Sequence, residues 1–203
     1  AAALVADNLE LYGFGDVDAY KPLHSAELSV PGGVGVDVIA RAAGIGVERF
    51  VLDDGWFGGR RHDRAGLGDW TVSRDVYPDG LGPLVDHVTG LGMEFGLWFE
   101  PEMVNPDSDL YRAHPDWVLG LEGVEQVPFR SQLALDISRS EVADYLFNAI
   151  DAILRDHDIR YIKWDMNRDL IHPGDSSGVP RAFAQVGALY ALLDRVRDAH
   201  PHV

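Results

Sequence analysis

Short apolar runs that end in a carboxylate recur along the chain. Four of them are rich in aromatic and branched residues, and they are Arg49–Asp54, Glu94–Glu100, Gln132–Asp136 and Arg160–Asp165. Runs of this length and composition predict buried β-strands. A weaker strand candidate lies within Ala3–Phe14.

Segments with apolar residues at helical spacing lie between these runs. The predicted helices are Val36–Ala43, Leu84–Val88, the segment that follows a Ser138-x-x-Glu141 capping box, and Ala182–Val196. Gly32–Gly35 precedes the first of them without a clear strand before it, and we interpret it as a loop. Alternation of strands and helices indicates parallel βαβ units.

Two α/β architectures contain such units, the doubly wound sheet and the (β/α)₈ TIM barrel. A dinucleotide-binding sheet would show a G-x-G-x-x-G fingerprint after its first strand, and the chain has none there. Polar residues at the carboxyl end of each strand favour the barrel. A barrel has eight strands and about 250 residues, so we expect 1–203 to be one incomplete barrel domain with about four to five βα units.

Charge and composition exclude several classes of partner and chemistry. The chain has 33 acidic and 17 basic residues, a net charge of −16, which argues against nucleic acid or an anionic membrane surface. It has no cysteine for a disulfide, a thiolate metal site or a nucleophile. No apolar run approaches the roughly 20 residues of a membrane span, and no signal peptide is visible. We therefore expect a cytoplasmic protein whose natural start lies upstream of Ala1.

Lys163-Trp164-Asp165 is the first candidate for chemistry. Residues two apart on a strand point to the same face, so Lys163 and Asp165 lie side by side. An ammonium beside a carboxylate favours the ionised form, as a nucleophile requires. Lysine is also rare here, since only two of the 17 basic residues are lysines, Lys21 and Lys163. An ordinary ion pair at a strand end remains the alternative.

Further candidates lie at the ends of the other predicted strands. Asp53 and Asp54 are adjacent carboxylates that need partners, which a sugar's hydroxyls, a metal ion or a helix N-terminus could supply. Trp98 precedes Glu100 and Glu102 and offers an indole face for stacking on a sugar, although it could also fill the core. Glu100 and Glu102 stay open between a role in the site and a role in the scaffold. Arg130 precedes the third strand, where it could brace the carboxylates, reach a substrate or lie solvated in a loop.

All of these residues except Arg130 lie in stretches that resemble the α-galactosidases of glycoside hydrolase family 36. The matching stretches are Phe50–Phe57, Gly68–Trp70, Leu91–Met103, His114–Trp117 and Tyr161–Arg168. The similarity runs from about residue 36 to the end, whereas Ala1–Pro31 does not match the family's usual first strand.

The resemblance implies a retaining hydrolase of terminal α-galactosides such as melibiose or raffinose, with no metal and no organic cofactor. It makes Asp165 the catalytic nucleophile and implies that the substrate is bound by the positions matching Asp53, Asp54, Trp98, Arg130 and Lys163. The family's general acid/base is an aspartate that follows a Ser-Gly-Gly-Gly stretch. The chain contains neither feature, so we expect both beyond residue 203.

Two alternatives stay open at this point. A galactosyl transferase of the same family would pass the sugar to another sugar instead of water. A truncated sugar-binding fragment would bind without catalysis, because a retaining glycosidase needs a second carboxyl group. The full-length protein could also form a homo-oligomer.

Overall fold

The computed structural model describes residues 34–203. The strand candidate within Ala3–Phe14 and the unmatched segment Ala1–Pro31 lie outside the described residues. The described chain divides into two compact units. The first contains 34–62, Val72–Phe99 and His157–Lys163, and the second contains Asp63–Thr71, Glu100–Asp156 and Trp164–Val203.

The first unit contains a β-sheet with the strand order β1-β2-β5. Strand β1 is Arg49–Leu52, β2 is Glu94–Phe99, and β5 is Tyr161–Trp164, whose last residue belongs to the second unit. Strands β1 and β2 run parallel in a register that places Phe50 beside Phe95. Three of the four strongly predicted strands are thereby confirmed, and the class is α/β.

Burial differs between the three strands. All residues of β2 after Glu94 are buried, as predicted, because β2 has a neighbour on each side. Strand β5 was expected to be buried, but Tyr161 is exposed and the residues that follow it are half-buried. The reason is its place in the sheet, since β5 is an edge strand among the described residues.

Two helices accompany this sheet. Helix α1 is Val34–Gly44 and helix α2 is Gly82–Gly90. Because α1 begins at Val34, the loop expected over Gly32–Gly35 is wrong for its last two residues. Pro83 lies in the first turn of α2, where its fixed φ suits a helix and its missing N–H costs nothing.

The second unit contains a two-stranded antiparallel sheet. Strand β3 is Met103–Val104 and β4 is Leu133–Ala134. The run Gln132–Asp136 contains β4, so its prediction as a strand is confirmed, whereas its expected place in the parallel series is wrong within the described residues. Its neighbour is the short strand β3, which begins after a turn in which the Met103 N–H donates to the Glu100 carbonyl, and this neighbour runs in the opposite direction.

Four helical segments complete the second unit. They are α3 Asp109–Ala113, a 3₁₀ turn Pro115–Trp117, α4 Ser140–Asp156 and α5 Ala182–Ala199. The predicted apolar face of α4 is buried, as its residues Val142, Leu146, Ile150, Ile153 and Leu154 show. None of the helices described in 34–203 is both long and apolar enough to cross a membrane.

The expected capping box at the start of α4 is wrong. The Arg139 carbonyl accepts the Ala143 N–H, so Arg139 rather than Ser138 occupies the N-cap position. The Ser138 hydroxyl donates instead to the Asp136 carboxylate. The apolar spacing along α4 was enough to predict a helix. The residue at which α4 begins depends instead on this local competition for hydrogen bonds.

Gly96, in the middle of β2, is closely approached by both neighbouring strands. A Cβ atom there would lie 3.1 Å from Tyr161 Cδ1 and 3.1 Å from Val51 Cγ2. We expect Gly96→Ala to lower the free energy of unfolding by about 1–3 kcal/mol, because a neighbouring strand must shift. Gly187→Ala on α5 is the control, since a Cβ there meets nothing within 4 Å, and it should gain about 0.5–1 kcal/mol. Urea unfolding measures both, and equal effects would contradict the steric argument.

Candidate active site

An ion pair links the end of β1 to β5 in the first unit. Lys163 Nζ lies 2.6 Å from Asp53 Oδ2, and both side chains are half-buried. The ammonium has three N–H donors, so two of them remain available for other acceptors. The structure thus brings together two of the predicted substrate-binding residues. The spacing in the sequence placed Lys163 beside Asp165. It did not predict the pair with Asp53, because spacing along one strand gives no information on residues far apart in the chain.

Asp54 forms a second ion pair, with Arg60. Arg60 Nε donates to Asp54 Oδ1 at 2.9 Å and Arg60 Nη2 donates to Oδ2 at 2.7 Å, the bidentate arrangement that makes such pairs strong. The Arg60 side chain is only 4% exposed and that of Asp54 18%. Sequence reasoning missed Arg60, which lies in a glycine-rich turn without helical or strand periodicity. Its contact identifies a scaffold role for Asp54, and the predicted sugar contact of Asp54 stays a prediction.

Trp98 is packed among other aromatic rings of the first unit. Its side chain is 2% exposed, and its ring stacks on Phe57 with centroids 6.1 Å apart and an interplanar angle of 11°. Its carbonyl accepts a hydrogen bond from Trp56 Nε1 at 2.9 Å. Stacking on Phe57 covers one face of the indole, as the core-filling alternative requires. Stacking of Trp98 on a sugar stays a prediction.

Asp165 follows β5 directly and accepts hydrogen bonds on both carboxylate oxygens. Within the second unit, the Met166 N–H donates to Oδ1 at 2.9 Å and Asn167 Nδ2 donates to Oδ2 at 2.8 Å. N–H donors favour the ionised carboxylate, which is the nucleophilic form. Asn167 was not among the predicted site residues. Its position two residues after Asp165 was the available signal.

The buried carboxylate of Glu100 supports this arrangement. Glu100 Oε1 accepts the backbone N–H of Asn167, and Oε2 accepts from Gln132 Nε2 at 3.0 Å. Burial raises the pKa of Glu100, the hydrogen bonds from Asn167 oppose the rise, and the nearby charge of Asp165 adds to it. Glu100 therefore holds the backbone that carries Asn167, whose side chain in turn holds Asp165.

Glu102 is a second buried carboxylate of this unit. Burial raises the pKa of Glu102, and a hydrogen bond from Trp164 Nε1, 3.3 Å from Glu102 Oε1, acts against the rise. The sequence left Glu102 open between site and scaffold. Its contact with the indole of Trp164 indicates that it supports the end of β5.

Arg130 lies exposed at the tip of a tight turn in the second unit. The turn joins Phe129 to Gln132, which form an isolated antiparallel bridge. Neither a hydrogen bond nor an ion pair connects the Arg130 guanidinium to any residue within 34–203. Bracing of the carboxylates is therefore not its role in the described structure, and a substrate contact stays a prediction.

Two of the stretches that carry the resemblance build the scaffold. Asp69, in Gly68–Trp70, accepts the N–H groups of Asp109 and Leu110 at 3.0 and 2.8 Å and so binds the start of α3. In His114–Trp117, the first and last rings stack with centroids 3.9 Å apart. These contacts explain the two stretches without a substrate.

The described residues offer no arrangement for a metal ion. In 34–203 no group of three or more His, Asp and Glu side chains is placed to hold one. Asp53 and Asp54 were open as metal ligands in the sequence. The structure instead engages them with Lys163 and Arg60.

The raised pKa of Glu100 predicts a pH dependence of stability. Between the ordinary value of 4.5 and the raised pKa, the folded protein binds this proton more tightly than the unfolded chain does. The free energy of unfolding therefore falls as pH rises through that interval. Glu100→Gln removes the titration and can still accept the Asn167 N–H. We expect the stability of Glu100→Gln relative to the parent to rise with pH from about 4.5 and then to level off. Urea unfolding at a series of pH values measures it, and a pH-independent difference would contradict the assignment.

Comparison with known proteins places these residues in a wider context. The model of the family described as Melibiase matches residues 35–203. The α-galactosidase of Escherichia coli is 51% identical over 163 residues, which cover 80% of this chain and 23% of that protein. The family 36 α-galactosidase AgaA of Geobacillus stearothermophilus has a crystal structure that matches with a TM-score of 0.81 and 42% identity, covering 91% of this chain and 25% of that one.

A crystal structure of an AgaA variant in complex with raffinose also matches. Its TM-score is 0.78 at 44% identity, and the match covers 83% of this chain and 24% of that one. The chain therefore spans about a quarter of the length of the relatives it matches.

Proposed function

The chain belongs to the Melibiase family, and on that premise we propose that the protein carrying it hydrolyses terminal α-galactosides of the melibiose and raffinose type. The names of its relatives support the reaction, since they are α-galactosidases at up to 51% identity. The raffinose complex of an AgaA variant supports the substrate class.

The observation that carries the proposal is the carboxylate of Asp165, held by N–H donors on both oxygens. In the proposed reaction, an oxygen of Asp165 bonds to the anomeric carbon while the glycosidic C–O bond breaks. The leaving oxygen takes a proton from a general acid, and water then hydrolyses the galactosyl ester with retention of configuration. We place the general acid/base in the polypeptide beyond Val203, where the family's second aspartate is expected.

Substrate binding is assigned to five residues by their match to the family. They are Asp53, Asp54, Trp98, Arg130 and Lys163. The contacts support the assignment best for Lys163, which pairs with Asp53 and retains donors for sugar hydroxyls, and for Arg130, whose guanidinium is exposed. Asp54 and Trp98 have larger scaffold roles, so their contribution to binding should be smaller.

The same premise extends to the architecture. We propose that β1, β2 and β5 with their helices are part of a (β/α)₈ barrel whose remaining units lie outside this segment. The parallel pairing of β1 with β2 supports it. So does the position of Asp53 and Asp165 directly after strands, since barrel enzymes keep their sites at the carboxyl ends of strands.

The experiment is a comparison of p-nitrophenyl glycosides with the protein as its gene encodes it. We expect hydrolysis of the α-galactoside, and none of the β-galactoside or the α-glucoside. A galactosyl adduct detected by intact mass and mapped to Asp165 would support the retaining mechanism. Hydrolysis without any adduct, with inversion of configuration by NMR, would overturn it.

A further inference from the structure

Two adjacent residues, Arg130 and Ser131, adopt a backbone conformation that favours glycine. Their φ angles are 52° and 59°, and no other non-glycine residue in the described part of the chain has a positive φ. A side chain in this region is strained, because Cβ comes close to backbone oxygen. Such strain persists only where the surroundings enforce it, and it concentrates at functional sites.

Arg130 and Ser131 form the two-residue loop of a β-hairpin. The Phe129 N–H donates to the Gln132 carbonyl at 3.2 Å and the Gln132 N–H donates to the Phe129 carbonyl at 3.0 Å. A hairpin with positive φ at both central positions favours Asn-Gly or Asp-Gly. This chain has Arg-Ser there, so the conformation of the turn does not explain why the residue is an arginine. The reason for the arginine must therefore lie in its side chain.

The buried side chain of Asn105 is hydrogen-bonded to this turn. Its side chain is fully buried, and Nδ2 donates to the Ser131 carbonyl at 2.8 Å and to the Asp63 carbonyl at 3.2 Å. Its Oδ1 accepts the Leu67 N–H at 2.9 Å. An asparagine amide has two donors and one acceptor group, and all three are used here. The strained turn is thus bound to a second segment of the same unit.

Arg168 holds the base of the same hairpin. Its guanidinium donates to the Gln132 carbonyl and, at 3.4 Å, to the Val127 carbonyl. The side chain of Arg168 is buried. Two buried polar side chains therefore fix the backbone on either side of Arg130, whose own guanidinium is exposed.

We propose that Asn105 is a positioning residue for Arg130. By holding the Ser131 carbonyl, Asn105 maintains the strained turn, and the turn presents the Arg130 guanidinium to the hydroxyl groups of a bound galactoside. This rests on the proposed function, in which Arg130 contacts the sugar. A guanidinium held in place before the ligand arrives loses less conformational entropy on binding.

A double-mutant cycle tests the inference, with galactose affinity by calorimetry and KM for p-nitrophenyl α-galactoside as readouts. Asn105→Asp keeps the acceptor for Leu67 but loses the donors to the Ser131 and Asp63 carbonyls. We expect Arg130→Ala to weaken galactose binding about 10–100-fold and Asn105→Asp to weaken it about tenfold, with the loss in KM rather than kcat. Because Asn105 acts through Arg130, the double variant should bind as weakly as Arg130→Ala alone. Multiplied effects, or an unchanged affinity for Asn105→Asp, would overturn the inference.

Ser131→Gly provides a variant that leaves the buried asparagine intact. Glycine removes the strain at this position and keeps the backbone carbonyl that Asn105 holds. We therefore expect a higher midpoint of thermal unfolding with unchanged galactose binding, and weaker binding in this variant would overturn the inference. Asp165→Ala in the same assay separates the two proposals. Hydrolysis that survives Asp165→Ala would contradict the proposed function, whereas its loss alongside multiplied Asn105 and Arg130 effects would contradict only the role of Asn105.

Discussion

Replacing Asp165 by alanine is expected to lower kcat/KM for p-nitrophenyl α-galactoside by a factor on the order of 10⁴ or more. The substitution removes the atom that bonds to the anomeric carbon in the proposed reaction. The leaving group sharpens the test. Since p-nitrophenolate departs with little need for a proton, the assay depends on the nucleophile much more than on the general acid.

Asp169→Ala is the matched control for this substitution. Asp169 follows in the same loop and is exposed, and its carbonyl, which accepts from Arg168 Nε at 3.0 Å, is retained by alanine. We expect Asp169→Ala to keep nearly all activity. Azide added to Asp165→Ala should restore turnover and yield β-galactosyl azide, because it attacks the face that Asp165 vacates. Equal losses in the two variants would contradict the nucleophile assignment.

The predictable part of the fold is the part whose signal is local. Strands β1 and β2 are short apolar runs closed by carboxylates, and α4 has five buried residues at helical spacing. These patterns exist before any tertiary contact forms. The run 132–136 has the same pattern as a parallel strand, yet β4 pairs antiparallel with β3. Strand β3 has only two residues, too few for periodicity, so its partner could not be identified from sequence.

The candidate site also has a part that could be predicted from local sequence and a part that could not. Asp165 and Lys163 were identified from spacing within three residues, and Asp53 from its place after a strand. The contacts that support the site were not predicted. Arg60 and Asn105 were missed, and Glu100 was named only as a carboxylate near Trp98. These side chains act on residues that are not their neighbours in sequence, and a buried hydrogen bond leaves no periodic trace. Their contacts separate Asp54, largely a scaffold residue, from Asp53, although the two carboxylates are equivalent in the sequence.

The different contacts of Asp54 and Asp53 predict different effects on stability when each is replaced. We expect Asp54→Ala to lower the free energy of unfolding by about 3 kcal/mol, because removing one partner of a buried ion pair weakens the compensation of the other charge. Arg60 is 4% exposed, so water cannot replace the lost carboxylate. Asp53→Ala is the matched control: its partner Lys163 is 36% exposed, and its loss should cost about 1 kcal/mol or less.

The doubly substituted Asp54→Ala, Arg60→Met variant tests the cause. Methionine removes the buried charge while keeping apolar volume, and replacing a buried pair by apolar residues is often neutral. We therefore expect the double variant to recover most of the stability that Asp54→Ala loses, as measured by urea unfolding at pH 7. A loss for Asp54→Ala no larger than that for Asp53→Ala would contradict the scaffold role of Asp54. No recovery in the double variant would mean that the destabilisation does not come from the loss of the Asp54 carboxylate beside the Arg60 guanidinium.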